Sequence, residues 1–148
     1  MWFLEGLVAG IIAGVFMIII SDICYRVGVF KSNLIIIDGS FALRLLKRQA
    51  DQVSIYVSGI IVHLGTSAVF GGLYSIIAEI IGFEMELSLP ITVYVIVLWI
   101  AMLYVALPVS GQGFMGNKIG KYIWVEQIVL HIVFGFGFWW SLSFLQII

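Results

Sequence analysis

From Leu4 to Ile23 the chain runs for twenty residues with charge only near the two ends, at Glu5 and Asp22, and three further stretches of this kind follow. A membrane span needs about 20 mainly apolar residues, because roughly 30 Å of hydrocarbon is covered at about 1.5 Å per helical residue. The pattern sets spans at residues 4–23, 54–81, 90–108 and 122–147. Lipid offers backbone N–H and C=O groups no partners, so such stretches cross as helices that satisfy themselves. Composition agrees. Of 148 residues 63% are hydrophobic and 10% charged, against about 45–50% and about 25% in soluble domains. We therefore expect an all-α, polytopic membrane protein, one domain of four transmembrane helices in an up-down bundle. The first span lacks a basic leader and a small-x-small cleavage site before Asp22, so it is read as a retained helix. A lone cysteine, Cys24, excludes an internal disulfide.

Charge placement orients the spans. All seven basic residues, Arg26, Lys31, Arg44, Lys47, Arg48, Lys118 and Lys121, fall in the connections after the first and third spans. The opposite side, with both termini and the turn at residues 82–89, has none. Basic residues favour the cytoplasmic side. The expected location is the plasma membrane, multi-pass, with both termini outside and both long connections cytoplasmic. Glu5, Glu79, Glu84 and Glu86 then line the outer rim. Trp2, Phe3, Trp139 and Trp140 fall at the outer interface and Tyr25, Tyr56, Tyr122 and Trp124 at the inner one, depths that suit rings with a polar edge.

The first connection should hold a short cytoplasmic amphipathic helix over "DGSFALRLLKRQAD", residues 38–51, after an extended "NLIII" run. Asp38 or Ser40 would cap it. Phe41, Ala42, Leu45 and Leu46 share one side, while Arg44, Lys47 and Arg48 face anionic headgroups at the membrane surface. The second connection contains "GQGFMG", residues 111–116, a formal G-x-G-x-x-G. Dinucleotide binding needs a preceding strand and a βαβ unit, and membrane helices flank this copy. Its glycines are read as letting a short loop hug the helix ends. Nucleic-acid partners are not expected either.

In lipid, helices associate through close backbone approach and buried polar contacts. Gly6, Gly10 and Gly14 form one small-residue ridge; Gly59, His63, Ser67 and Gly71 form a second; Gln127, His131 and Gly135 repeat the spacing in the fourth span. The only two histidines thus lie on inward faces, each about nine residues into its helix. The two halves of the chain read as tandem hairpins related by a weak pseudo-repeat.

The glycine-ridged first helix, H-x-x-x-S-x-x-x-G-G-x-x-Y at His63 to Tyr74, "LPVSGQGFMG" at Leu107 to Gly116 and H-x-x-x-G at His131 to Gly135 together resemble small four-helix prokaryotic membrane proteins of a domain-of-unknown-function type. That resemblance implies the architecture and carries no catalytic residue.

Three roles suit the paired imidazoles. Hydrogen bonding between helices needs nothing further. Ligation of one b-type haem by His63 and His131 would use the diagonal of a square bundle. Proton transfer is the third, since histidine titrates near neutrality. No carboxylate is expected at their depth, so neither a metal site nor an acid orienting His63 towards Ser67 is expected. Asp22 and Arg26 should form a local i,i+4 pair, and Glu126 should pair with Lys118 or Lys121 near the start of its helix. No nucleophile–base–orienter set points to an enzyme. The expected function is an accessory or structural subunit packing against a membrane partner or another copy. The alternatives are bis-histidine haem electron transfer and a small transporter or proton-conducting bundle.

Overall fold

A computed structural model describes residues 2–49 and 51–145. Among them the regular structure is helical: α1 (Trp2–Arg26), α2 (Leu34–Leu45), α3 (Gln52–Ile81), α4 (Ser88–Val109) and α5 (Ile123–Leu145). A short 3-10 turn, Phe114–Gly116, lies in the last connection. Helices α1, α3, α4 and α5 are long and apolar enough to cross a membrane. Residues 146 and 147, assigned above to the fourth span, lie outside the described residues.

Local chemistry explains the helix ends. Asp51 caps α3 by accepting the Ser54 N–H at 3.1 Å, which satisfies one of the donors a helix start leaves open. Gly82 closes the same helix in a left-handed conformation, φ 83°, its N–H reaching Ala78 O. Pro90 sits in the first turn of α4, where its missing N–H leaves no gap. Pro108 comes near the other end and cannot donate to a carbonyl four residues back. Just before it, Met102–Ala106 widens into a π-helical turn, with Leu107 N–H bonding Met102 O. Such bulges re-register a helix around a residue that breaks its ladder.

The first connection departs from the sequence reading. Leu34 to Ile37, expected to be extended, form the first turn of α2, and its cap is Asn33, whose side chain accepts from the N–H groups of Ile35 and Ile36. Asp38 and Ser40 are interior positions. Half of α2 is buried: Leu34, Ile35, Ile37, Gly39, Ala42 and Leu43. A helix start with its first N–H groups satisfied by side chains can be buried without orphan donors. Here Asn33 supplies one acceptor, and Ser21 of α1 supplies another to Leu34 N–H at 2.9 Å.

Packing uses the small residues. A methyl group at Gly6, Gly10 or Gly14 of α1 would overlap Gly71, Ser67 and their neighbours on α3, so these two backbones touch and run antiparallel. Nearer its start α3 receives α2: Gly39 lies on the Ile55 backbone and Gly59 on the Ile35 carbonyl. Helix α1 also packs on α5, where Gly137 meets Ala13. Gly135 of α5 faces Val95 of α4, and the Trp99 indole donates to Trp124 O at 3.2 Å. Helices α3 and α4 meet through long side chains, with Tyr94 Oη donating to Phe70 O at 2.8 Å. Tyr74, fully buried, donates to Met85 O at 3.0 Å and packs edge-on against Phe138. The four long helices therefore follow each other as α3, α1, α5 and α4 around a core, and the open seam lies between α4 and α3.

Candidate functional site

That seam holds a cavity of about 230 Å³. Its walls include Asp38 of α2, His63 and Ser67 of α3, Met102 of the π-helical turn and His131 of α5. Phe41, Phe70 and Phe134 supply aromatic surface. Thr66, Phe70, Ala101 and Val105 line it and are themselves exposed, so its mouth opens on the side of the bundle between α3 and α4.

Asp38 changes the chemistry expected of His63. The imidazole Nδ1 donates to Asp38 Oδ2 at 2.8 Å, and the two side chains are only 7% and 14% exposed. A carboxylate accepts and cannot donate, so the proton sits on Nδ1 and Nε2 carries a lone pair in the neutral ring. Nε2 is buried and has no hydrogen-bond partner among the described residues. The second imidazole is set in the same way. His131 Nδ1 donates to the Gln127 carbonyl at 2.7 Å, which again leaves Nε2 as the acceptor. Both rings thus present the same nitrogen.

The absence of a carboxylate at this depth, expected from the sequence, is corrected by Asp38. It reaches His63 because α2 begins inside the bundle, and a side chain leans toward the start of its own helix. Polar groups hold that start in place. Glu126 accepts from Lys31 N–H at 2.9 Å, Ser32 N–H at 3.0 Å and Ser32 Oγ at 2.6 Å. This replaces the expected pairing of Glu126 with Lys118 or Lys121: a side chain on the first turn of α5 binds the strap leading into α2. Gln127 Nε2 adds a 3.3 Å contact to Ser32 Oγ. Asp22 pairs with Arg26 at 2.5 Å, four residues on, and also accepts from Asn33 Nδ2 at 3.0 Å.

The remaining residues singled out by sequence divide clearly. Gly6, Gly10, Gly14, Ser67 and Gly71 meet at the α1/α3 contact, beside His63; Ser67 Oγ and His63 Nε2 lie 2.6 and 3.6 Å from where a Gly14 Cβ would be. Gly59 faces α2 and Gly135 faces α4. Arg44, Lys47 and Arg48 are exposed at the end of α2, away from the cavity, with the Arg44 guanidinium lying on Gly111. In the "GQGFMG" loop Gly111, Gly113 and Gly116 all have positive φ, and no strand precedes it among the described residues.

Among the described residues no hydrogen bond joins Ser67 to His63, although they are one turn apart on the same helix. Among the described residues no three His, Cys, Asp or Glu side chains gather as metal ligands. The cavity volume is also below the roughly 300–1,000 Å³ typical of sites for drug-sized ligands, so a haem between His63 and His131 would require α3 and α4 to part. What fits as it stands is one small, largely apolar molecule with a polar group turned to the imidazoles. No family model matches the chain, and no curated protein or solved structure matches it either.

Proposed function

We propose that this chain is an intramembrane ligand-binding protein, taking a small and mostly apolar molecule from the bilayer into the cavity between α3 and α4. The observation that carries this reading is the Asp38–His63 pair at 2.8 Å beside a 230 Å³ cavity that His131 also lines. A buried ionisable pair that joins α2 to a membrane-spanning helix, α3, is costly and so marks a functional position. The unpartnered His63 Nε2 adds to the argument, because a buried acceptor without a partner costs about 1–3 kcal/mol that a ligand would return. In this reading the four long helices form an up-down bundle in the plasma membrane. The basic connections lie in the cytoplasm, as their seven Lys and Arg residues favour, and Arg44, Lys47 and Arg48 rest near anionic headgroups. Native mass spectrometry of protein released gently from membranes tests the proposal. A bound small molecule should be present in the unmodified chain and absent from Ala101→Phe, which closes the mouth. Equal occupancy in both would overturn it.

A second reading, an accessory subunit packing against a membrane partner or another copy, has its own support. A wider cavity of about 430 Å³ runs between α4 and α5, bordered by Ile96, Trp99, Ile132, Phe136 and Trp139. Side chains of a neighbouring transmembrane helix would fill it. Cross-linking from Ile132→Cys in native membranes should trap that neighbour, and a protein that stays uncoupled under conditions that couple a known dimer argues against it.

A further inference from the structure

We infer that the cavity selects ligands carrying hydroxyl groups on a single aromatic ring, that is phenols and hydroquinones dissolved in the bilayer, over the same ring without hydroxyls. The inference rests on the ligand-binding reading above and deepens it.

Size comes first. An engineered cavity of about 150 Å³ binds benzene, so 230 Å³ holds one ring with a few substituents. Phe41, Phe70 and Phe134 offer faces and edges on which a ring can pack. The mouth between exposed Thr66, Phe70, Ala101 and Val105 opens part-way along α3 and α4 rather than at a helix end. A ligand dissolved in hydrocarbon therefore enters without crossing water.

Hydrogen-bond polarity comes second, and it is the stronger constraint. A backbone carbonyl can only accept, which forces the His131 proton onto Nδ1. The Asp38 carboxylate does the same to His63. Both neutral rings therefore carry their lone pair on Nε2, and His63 Nε2 has no hydrogen-bond partner among the described residues. A ligand must bring the protons. Hydroxyl groups do so at no charge, which suits a low-dielectric site better than an ammonium group. Ser67, also on the wall, can orient the hydroxyl that His63 receives.

Three molecules of matched shape test this: hydroquinone, p-cresol and p-xylene, with two, one and no hydroxyl groups. Binding to the full chain in lipid nanodiscs is read by ligand-observed NMR at equal concentration in the lipid phase. The expected order is hydroquinone, then p-cresol, then p-xylene, each step about three- to tenfold, the effect of about one net hydrogen bond. His131→Phe should remove the advantage of the second hydroxyl, and the milder Asp38→Asn should reduce that of the first. If p-xylene binds as tightly as hydroquinone and Ala101→Phe abolishes both, the selectivity claim falls while the ligand-binding reading stands. If none of the three binds, both fall. A hydroxyl preference that survives unchanged in both histidine-site variants also overturns the inference, because the acceptors then lie elsewhere.

Discussion

The Asp38 side chain accepts from His63 Nδ1, and removing it isolates that buried N–H. Leaving such a donor unpaired costs about 1–3 kcal/mol, so Asp38→Ala should lower stability by that amount in reversible unfolding of detergent-solubilised protein. A variant as stable as the parent would mean that the pair is not formed. Glu126 belongs to the same scale. Its carboxylate holds both N–H groups of the strap at Lys31 and Ser32. Glu126→Gln keeps one acceptor oxygen and should speed hydrogen exchange at Lys31 and Ser32 while leaving α3 protected. The neighbouring "LIIID" is where sequence reading failed. An aspartate after four apolar residues suggested the cap of a surface helix, whereas Asn33 had the same capping chemistry five positions earlier. Moving the start to Leu34 turns Asp38 from a solvent-facing cap into an interior residue beside a histidine. Nothing local to the sequence ranks two adequate caps; burial of the Leu34–Ile37 turn ranks them.

At the scale of elements, α1 and α3 depend on glycine because their backbones touch. Gly10→Leu pushes a side chain into the Ser67 carbonyl and should destabilise by about 1–3 kcal/mol or more. Gly65→Ala is the contrast: apart from its own stretch of helix, nothing described lies within 4 Å of the added Cβ, and a helical Gly→Ala change stabilises by about 0.5–1 kcal/mol. Opposite signs from Gly10 on α1 and Gly65 on α3, measured in the same unfolding assay, would establish the contact; equal effects would remove it. The cap of α3 carries a pH signature. Hydrogen bonds from the Ser54 hydroxyl and N–H hold the Asp51 carboxyl below the ordinary value of 3.8. A carboxyl lowered on folding adds stability that is complete above its unfolded value and is lost as the pH falls through its folded one. The gap in melting temperature between the parent and Asp51→Ala should therefore stay constant from neutral pH to about 5 and close on acidification below the ordinary aspartate range. A gap that widens in acid would contradict the cap. Small-residue ridges were legible in the sequence because close helix contacts admit few residue types. Their partners were not: Gly59 shares its spacing with Ser67 and Gly71 yet faces α2.

For the whole molecule, the proposed topology makes one demand. In a Cys24→Ser background, single cysteines at Glu84 and at Lys118 should react with a membrane-impermeant maleimide from opposite faces of intact cells or inverted vesicles, Glu84 from outside and Lys118 from the cytoplasm. Labelling of both from one face would end the four-span arrangement. The four long apolar helices followed from sequence alone, because the hydrophobic requirement of a membrane span is summed over about 20 consecutive residues and needs no knowledge of neighbours. The inward placement of both histidines followed too, from helical spacing shared with glycine and serine. The tertiary structure alone decided that α2 enters the bundle, that Asp38 meets His63 across 25 residues of chain, and that α3 and α4 stand apart around a cavity. Those outcomes depend on which of several apolar surfaces pack together once the spans are formed, and near-equivalent surfaces are told apart only by contacts between segments distant in sequence.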